Sequence, residues 1–481
     1  LYFSMQDCGL VFSSELKTFK NLSFIKKTIC KKAVRQYFQL GYILAPNTIF
    51  KDIHKIEPGH IIRFCLSEGT SEKYKYWSLA TQKSSPIEDC YDTAKEKVAS
   101  LIKESCRLRM ISDVPVGVFL SGGYDSTCIA AMCSDISKAP VKTFTIGFDD
   151  RQYDESKDAE LIAQFLGTEH HTYICTPADA KNCLLEIPRI WDEPFGDPSA
   201  IPTLMVSSVT AKHVKVSLSA DGGDELFFGY NKYVDSKRLF MLISFLPFRK
   251  WFHQKLCGND MFYKIVSALP GALQRKTKKV VSALADENIV DSMLSVSSII
   301  PNIDLNRLLG DGSEQLNYFS YFDNNNLSDN ERMLLVDYNT YQSGDILTKV
   351  DMATMKHSLE GREPLLDYKL AEYVTNIRTD YKYNNGNKKH ILKDIVHDRV
   401  PKSLMDRPKK GFGFPLKEWL GSELQYAVDE YLSDEILEKS DYLDATTAKR
   451  IRDDYLNNNN SNVNQLWLIL MFEMWRKEWG F

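Results

Sequence analysis

Apolar runs alternate with helix-like segments through the middle of the chain. Short runs rich in Val, Ile and Phe predict buried strands at 114–120, 141–148, 171–175 and 214–219. Between these strands, residues 127–133 are predicted to form the start of one helix and residues 156–166 a second helix. Because the strands alternate with helices, this region is expected to form a parallel sheet, which indicates an α/β fold.

The flanking regions have different patterns. Residues 1–80 predict strands and turns, with a strand at 9–14 and one short helix at 33–39. Residues 81–86 are polar and end in Pro86, so they predict a linker. Beyond it, helices are expected at 87–110, throughout 232–309 and at 466–475, the last one following an Asn-rich loop. We therefore expect a domain at 1–80, a linker at 81–86 and a second domain at 87–481.

Composition limits the function without identifying it. The 481 residues suffice for two or three domains, and the net charge of -4 gives no basis for binding nucleic acid or an anionic membrane. Ten cysteines are scattered without a C-x-x-C pair, which favours a reducing cytoplasm over a disulfide scaffold or a zinc site. No apolar run approaches the roughly 20 residues that span a bilayer. The chain begins without Met, so we expect its amino terminus to be cut.

The most informative segment is Ser121-Gly122-Gly123-Tyr124-Asp125-Ser126, between a predicted strand and a predicted helix. A glycine-rich turn at this place presents backbone N–H groups and the positive end of a helix dipole to an anion. The segment lacks the Gly-Lys-Ser/Thr ending of a Walker A loop and the spacing of a dinucleotide-binding fingerprint. It resembles the pyrophosphate-binding loop of the ATP pyrophosphatases, which cleave ATP between the α and β phosphates. A surface turn with incidental glycines is the alternative.

An acidic segment follows the last predicted strand. Asp221, Asp224 and Glu225 surround two glycines, and their charges would repel one another without a nearby cation. Mg²⁺ that bridges nucleotide phosphates meets this need, because such sites use only one or two carboxylates. An isolated cluster of acidic residues is more often a solvated turn. Here the glycine-rich segment 121–126 upstream favours a functional site.

Two later segments carry further charge. Residues 347–367 predict a helix that ends near Glu360, with Arg362 beside it, and a purely structural ion pair is the alternative there. Residues 407–415 form a basic turn with glycines, including Arg407 and Lys409. Such a loop suits the stabilisation of negative charge on a departing pyrophosphate, although a solvated turn is equally common.

Together and in this order, the four segments resemble the glutamine-hydrolysing asparagine synthetase family, class B type, over essentially the whole chain. The resemblance implies a C-terminal ATP pyrophosphatase domain, Rossmann-like with a parallel sheet and extra helices. Before it, the phrases at 9–17, 41–50 and 58–60 resemble the later part of an N-terminal-nucleophile (αββα) glutaminase domain. The segment with that domain's catalytic Cys is not seen, and Cys8 is no substitute, so this chain is expected to use free ammonia.

The resemblance also implies a reaction. ATP would activate the side chain of aspartate as an acyl adenylate with release of pyrophosphate, and ammonia, normally derived from glutamine, would then give asparagine and AMP. Asp221, Glu360 and Lys409 are the implied catalytic residues, and Asp125 and Asp224 the implied Mg²⁺ ligands. The implied ATP-binding residues are Leu120, Ser121, Gly122, Gly123, Asp125, Ser126, Ile146, Ser219, Ala220, Lys389 and Arg407, with Lys393 adding positive charge.

Departures from the family pattern bear on the acceptor. Ala220 replaces the usual Gly, Asp221 replaces a common Glu, and Glu363 adds a charge where the pattern has Val. The acceptor could therefore be another carboxylate, such as a glycan uronic acid or a natural-product precursor, and a cyclising synthetase that closes an internal amide is a related alternative. A tRNA-modifying pyrophosphatase is disfavoured because paired cysteines and a basic face are missing. A non-catalytic scaffold is disfavoured because the implied catalytic and metal-binding residues are all present. A homodimer is left open.

Overall fold

The computed structural model describes residues 1–6, 9–80, 87–310, 327–405, 407, 413–457 and 463–481. A five-stranded parallel sheet lies at its centre. The strands are β6 (Val116–Phe119), β7 (Lys142–Phe148), β8 (Glu169–Cys175), β9 (Val216–Leu218) and β10 (Glu360–Arg362). Their order is β10-β9-β6-β7-β8, so the chain starts in the middle of the sheet, extends to one edge and then crosses to the other.

Helices connect these strands and cover the sheet. They are α2 (Tyr91–Arg109), α3 (Tyr124–Ile136), α4 (Ser156–Leu166), α5 (Pro177–Ile190), α6 (Ala200–Thr210) and α7 (Gly223–Phe227). Local sequence defines their ends, as at α5, where Thr176 and Asp179 form a reciprocal capping box around Pro177. The predicted α/β fold is confirmed. β6, β7 and β9 are one to three residues shorter than the apolar runs that predict them, whereas β8 begins two residues before its predicted run.

The first 80 residues form a smaller unit. Strands β1 (Tyr2–Gln6), β2 (Gly9–Ser13) and β3 (His54–Lys55) make an antiparallel sheet in the order β2-β1-β3, and β4 (His60–Cys65) pairs with β5 (Thr70–Lys75) as a hairpin. The helix α1 (Lys31–Leu40) follows β2 and carries eight consecutive buried residues. The predicted linker at 81–86 lies outside the described residues, so the domain boundary stays a prediction.

Two helical regions complete the chain. The first contains α8 (Asn231–Ser244), α9 (Arg249–Cys257), α10 (Asp260–Ser267), α11 (Gly271–Ala283), α12 (Ile289–Ser297) and α13 (Asn302–Leu309). The second contains α14 (Asp329–Asn339), α15 (Leu347–Met355), α16 (Tyr368–Asn376), α17 (Thr379–Lys382), α18 (His390–His397), α19 (Lys402–Met405), α20 (Leu416–Leu420), α21 (Gln425–Tyr431), α22 (Asp434–Glu438), α23 (Ala445–Leu456) and α24 (Val463–Trp479). Strands β11 (Tyr383–Asn384) and β12 (Asn387–Lys388) form a short hairpin before α18.

Helix α24 joins the two units. It is apolar around its circumference and buried for almost its whole length, as its composition requires. The Tyr37 hydroxyl on α1 donates a 2.8 Å hydrogen bond to the carbonyl of Leu468 on α24, and Phe38 packs against Phe472. Within the described residues, no helix is both long enough and apolar enough to cross a membrane.

One sequence-based expectation is wrong at this level. The helix predicted to end near Glu360 ends at Met355, and Glu360 begins strand β10 instead. β10 pairs in parallel with β9, with Glu360 opposite Val216 and Arg362 opposite Leu218. Three residues are too few for periodicity to reveal a strand, and this strand forms only because the edge of β9 offers a partner.

Candidate functional site

Residues 121–126, which we call the phosphate loop after their predicted ligand, connect β6 to α3 at the carboxyl edge of the sheet. Gly122 adopts φ +78°, a conformation that favours glycine, and Gly123 precedes the first turn of α3. No side chain caps this helix start among the described residues. The hydroxyls of Ser121 and Ser126 lie 3.0 Å apart across the loop. The N–H groups of the first turn and two hydroxyls thus face one edge, where a helix dipole favours an anion.

Arg407 brings positive charge to this loop from the distant basic segment. Its guanidinium donates to the carbonyl of Gly122 at 2.5 Å and pairs with Asp158 at 2.9 Å. A Cβ on Gly122 would lie 2.6 Å from the Arg407 Nη2 atom, so the glycine permits this approach. The guanidinium also donates to the carbonyl of Leu404 at 3.3 Å, so three protein contacts fix it, and a quarter of the side-chain surface is exposed.

Lys389 joins the two acidic positions of the site. Its ammonium lies 2.7 Å from Asp224 Oδ1 and also contacts Asp125 Oδ2. Lys389 is 5% exposed, and burial opposes its charge, but the Asp125 and Asp224 carboxylates outweigh this effect and raise the pKa of Lys389. The phosphate loop and the acidic loop after β9, which contains Asp221, Asp224 and Glu225, are therefore connected through one buried cation.

The local backbone is built around this contact. Lys389 has φ +56° and ψ +34°, an uncommon conformation for a residue with a side chain, directly before α18. Gly223 lies against Asp125, and a Cβ on it would come within 2.5 Å of Asp125 Oδ1. Gly229 likewise leaves no room for a Cβ beside Asp224. The glycines thus allow the loops to approach closely enough for one lysine to bridge both carboxylates.

A second buried cation lies behind Asp221. Lys349 on α15 donates to Asp197 Oδ2 and to Ser199 Oγ, both at 2.8 Å, just before α6. Burial raises the pKa of Asp221, and the positive charge of Lys349 partly opposes that rise. The Asp221 carboxylate also accepts a 2.7 Å hydrogen bond from Ser219. The hydrogen bond from Ser219 fixes the position of the Asp221 carboxylate, and the charge of Lys349 favours its ionised form.

Glu363 adds a carboxylate next to Asp221. It follows β10 at the carboxyl edge of the sheet and is only partly exposed. Burial, reinforced by the nearby charge of Asp221, raises the pKa of Glu363 to about 7. The site therefore contains two carboxylates, Asp221 and Glu363, whose mutual repulsion adds to the effect of burial on the pKa of Glu363.

Comparison with known proteins supports one family. A family model described as asparagine synthase matches residues 97–477. The chain belongs to the asparagine synthase family. A second family model, described as a glutamine amidotransferase domain, matches residues 1–77.

Relatives of the asparagine synthase family cover most of the chain. Asparagine synthetase [glutamine-hydrolyzing] 1 of Bacillus subtilis (strain 168) is 29% identical over 99% of this chain and 73% of its own length. A putative asparagine synthetase [glutamine-hydrolyzing] 2 of Methanocaldococcus jannaschii is 33% identical over 74% of this chain and 67% of its own length. The amidase chry2 of Gibberella zeae is 26% identical over 92% of this chain and 70% of its own length.

Most site residues expected of an asparagine synthase come together in the structure. Ser121, Gly122, Gly123, Asp125, Ser126, Asp221, Asp224, Lys389 and Arg407 occupy the loops described above. Leu120 is buried directly after β6, Ile146 is buried on the neighbouring strand β7, and Ser219 and Ala220 follow β9. Lys393 is one turn further along α18, with its ammonium 2.9 Å from Asn387 Oδ1 and over the ring of Tyr124.

Glu360 lies apart from this group. It is at the amino end of β10, its side chain is 58% exposed, and its carboxylate accepts a 2.7 Å hydrogen bond from Arg362. That hydrogen bond lowers the pKa of Glu360. Lys409 falls outside the described residues, so its expected role has no structural test here.

Lys349 and Asp197 were not among the residues predicted for the asparagine synthase site. Lys349 lies within the segment 347–367, in which the sequence pattern indicates Glu360 and Arg362 instead. Asp197 is in a Pro-rich loop without a recognisable motif. A lysine between apolar residues of a buried helix face was the one available signal. Its partner is 152 residues away in sequence, which no local pattern can reveal.

Proposed function

We propose that this chain catalyses the ATP-dependent amidation of a carboxylate, with conversion of aspartate to asparagine as the leading candidate. The acceptor would be activated as β-aspartyl-AMP with release of pyrophosphate, and ammonia would displace AMP. Glutamine would be the usual source of that ammonia. The observation that carries the proposal is the junction of Lys389, Asp125 and Asp224 beside the open first turn of α3.

The arrangement fits MgATP. Loop residues 121–126 offer N–H groups, hydroxyls and a helix dipole to phosphate oxygens, with Arg407 adding positive charge. Asp125 and Asp224 already share one cation, and two carboxylates are enough for Mg²⁺ when phosphate and water supply its other ligands. When bound, Mg²⁺ would neutralise charge on the departing pyrophosphate. No larger cluster of metal-binding side chains is found among the described residues.

The chain's own residues would act before and during the transfer. Lys389 would hold the two loops in register and contribute its charge to the phosphates, while Arg407 would keep the loop closed over them. Asp221, fixed by Ser219 and Lys349, would orient the activated acceptor at the carboxyl edge of the sheet. Burial of these groups would also limit access of water to the adenylate.

A second candidate is a related synthetase that amidates a different carboxylate. Glu363 favours it, because this buried carboxylate stands next to Asp221 where the family pattern has an apolar residue. Aspartate carries a second carboxylate, which two adjacent carboxylates in the site would repel, so they favour an acceptor without that extra negative charge, such as a uronic acid. Relatives named amidases are consistent with this candidate.

The test is pyrophosphate release from MgATP with ammonium chloride and one acceptor at a time. Aspartate, a uronic acid and buffer alone would be compared, with Asp224→Asn as the inactive variant and Asp235→Asn, an exposed acid on α8, as its matched control. We expect release that depends on one acceptor, persists in Asp235→Asn and is lost in Asp224→Asn. Equal release with and without every acceptor, or undiminished release by Asp224→Asn, would refute the proposal.

A further inference from the structure

The helical region from α8 to α11 has a surface unlike the rest of the molecule. Large apolar side chains are exposed over a stretch of only twelve residues, 241–252, where α8 ends and α9 begins. We call this the apolar tip, and its principal side chains are Met241, Leu242, Phe245, Phe248, Trp251 and Phe252. Phe245 and Phe248 are 82% and 79% exposed. An exposed apolar group of this density is unusual on a protein surface unless something covers it.

Backbone conformation supports a role for the tip. Phe248 has φ +58°, the left-handed conformation that a bulky side chain rarely adopts. In many proteins such strain is compensated because it places a side chain in the core, but here the ring points to solvent. Phe248 is the N-cap residue of α9, so the turn between α8 and α9 holds its ring outward, and residues in such conformations cluster at ligand-binding and switch regions.

The charge around the tip is strongly positive. Residues 231–283 contain eleven Lys and Arg against two acidic residues, within a chain of net charge -4. Six exposed members, which we call the basic rim, make no ion pair with any residue in the described ranges: Lys237, Arg238, Lys255, Lys264, Arg275 and Lys276. The net charge of the whole chain hides this local excess of positive charge, so composition alone does not indicate an anionic partner.

From these observations we propose that the apolar tip and the basic rim bind the surface of an anionic lipid membrane. Exposed Phe, Trp, Leu and Met flanked by Lys and Arg are the side chains that peripheral helices insert at the boundary of headgroups and acyl chains. A symmetric contact with a second copy would place two basic rims against each other, so charge favours the membrane over self-association.

The location relates this surface to the candidate site. Helix α8 starts at Asn231, seven residues after Asp224, and ends at the tip, so it spans roughly 20 Å at the usual rise per residue. A membrane bound at the tip would therefore lie close to the carboxyl edge of the sheet. The proposal concerns binding alone and does not depend on the proposed function.

The test is co-sedimentation of the full chain with vesicles of phosphatidylcholine, with or without 30% phosphatidylglycerol. We expect binding to the anionic vesicles that weakens at high salt and is at least tenfold weaker to the neutral ones. Replacing Lys237 and Arg238 by Gln should lower the partition coefficient roughly 25-fold, about fivefold for each charge. Phe245→Ser with Phe248→Ser should lower it as well. Leu66→Ser with Ile111→Ser removes equally exposed apolar groups elsewhere and should bind like wild type.

Trp251 gives an independent readout of the bound geometry. It is exposed, unlike the other tryptophans that the structure describes, so brominated lipid should quench its fluorescence on binding. Trp251→Phe should bind vesicles normally and lose this quenching. Absence of binding to anionic vesicles, unchanged binding by the tip or rim variants, or a concentration-dependent dimer abolished by Phe245→Ser with Phe248→Ser would each overturn the proposal.

Discussion

Replacing Lys389 by Met tests whether this lysine is the internal counterion of the site. The methionine keeps the length and apolar stem of the side chain but removes the ammonium that contacts both Asp125 and Asp224. In the native protein the Lys389 side chain is 7% exposed, whereas those of Asp125 and Asp224 are 21% and 16% exposed. The charges are therefore mostly shielded from water, and their repulsion is only weakly screened.

The expected cost follows from this burial. Removing one partner of a buried ion pair costs about 3–5 kcal/mol, and the partial exposure of both carboxylates places this case near 3 kcal/mol. With a denaturant dependence of about 3 kcal/mol/M, the urea midpoint should fall by roughly 1 M in EDTA. Mg²⁺ should then restore most of the loss, since a ligand at 100 times its Kd stabilises by about 2.7 kcal/mol.

The assay is urea unfolding followed by circular dichroism, in EDTA and in 10 mM MgCl₂ without nucleotide. Lys278→Met is the matched control, because Lys278 is buried 2.8 Å from a single carboxylate, that of Asp304. We expect Lys278→Met to lose stability and gain little from Mg²⁺, since one carboxylate binds the ion weakly. The reasoning would be refuted if Lys389→Met were as stable as wild type in EDTA, or if Mg²⁺ stabilised wild type and variant equally.

Three further predictions concern pH, packing and charge. Burial raises the pKa of Asp286 to about 7, so ionisation of this group lowers the free energy of unfolding as the pH rises from about 4 to 7, by up to about 4 kcal/mol. Asp286→Asn should flatten that decline in urea midpoints measured from pH 5 to 8, and an unchanged slope would count against it. Gly223→Ala should displace Asp125 and weaken MgATP binding at least tenfold by calorimetry, whereas Gly258→Ala, whose added Cβ meets no atom closer than 3.6 Å, should bind normally. Arg407→Lys keeps the charge but loses the fork that reaches Gly122, Asp158 and Leu404, so kcat/KM for MgATP should fall about 10- to 100-fold, and wild-type kinetics would contradict this.

The sequence predicts the candidate site best where residues suited to ligand binding lie in a strand-turn-helix pattern. The glycines and hydroxyls at 121–126 predict both the turn and its ligand class, because few other functions need that combination. The acidic loop after β9 is predicted for the same reason. Both lie at the carboxyl edge of the sheet in the structure, and the alternation of strands and helices was enough to anticipate that edge.

The contacts that join these loops could not be predicted in the same way. Lys389 reaches Asp125 over 264 residues, and Lys349 reaches Asp197 over 152 residues. Such pairs depend on how helices pack, which no local pattern records. Glu360 is a case in which the motif is conspicuous in the sequence, yet the residue is an exposed strand residue paired with Arg362. Glu363, three residues later, is the carboxylate that lies near Asp221.

The central claim is that a carboxylate is activated by transfer of AMP. The most direct measurement uses aspartate labelled with ¹⁸O in its side-chain carboxylate, together with MgATP and ammonium, and mass spectrometry of the AMP formed. We predict AMP that carries one ¹⁸O atom, because ammonia displaces AMP together with the carboxylate oxygen that was bonded to phosphorus. Unlabelled AMP, or label in inorganic phosphate with formation of ADP, would contradict it.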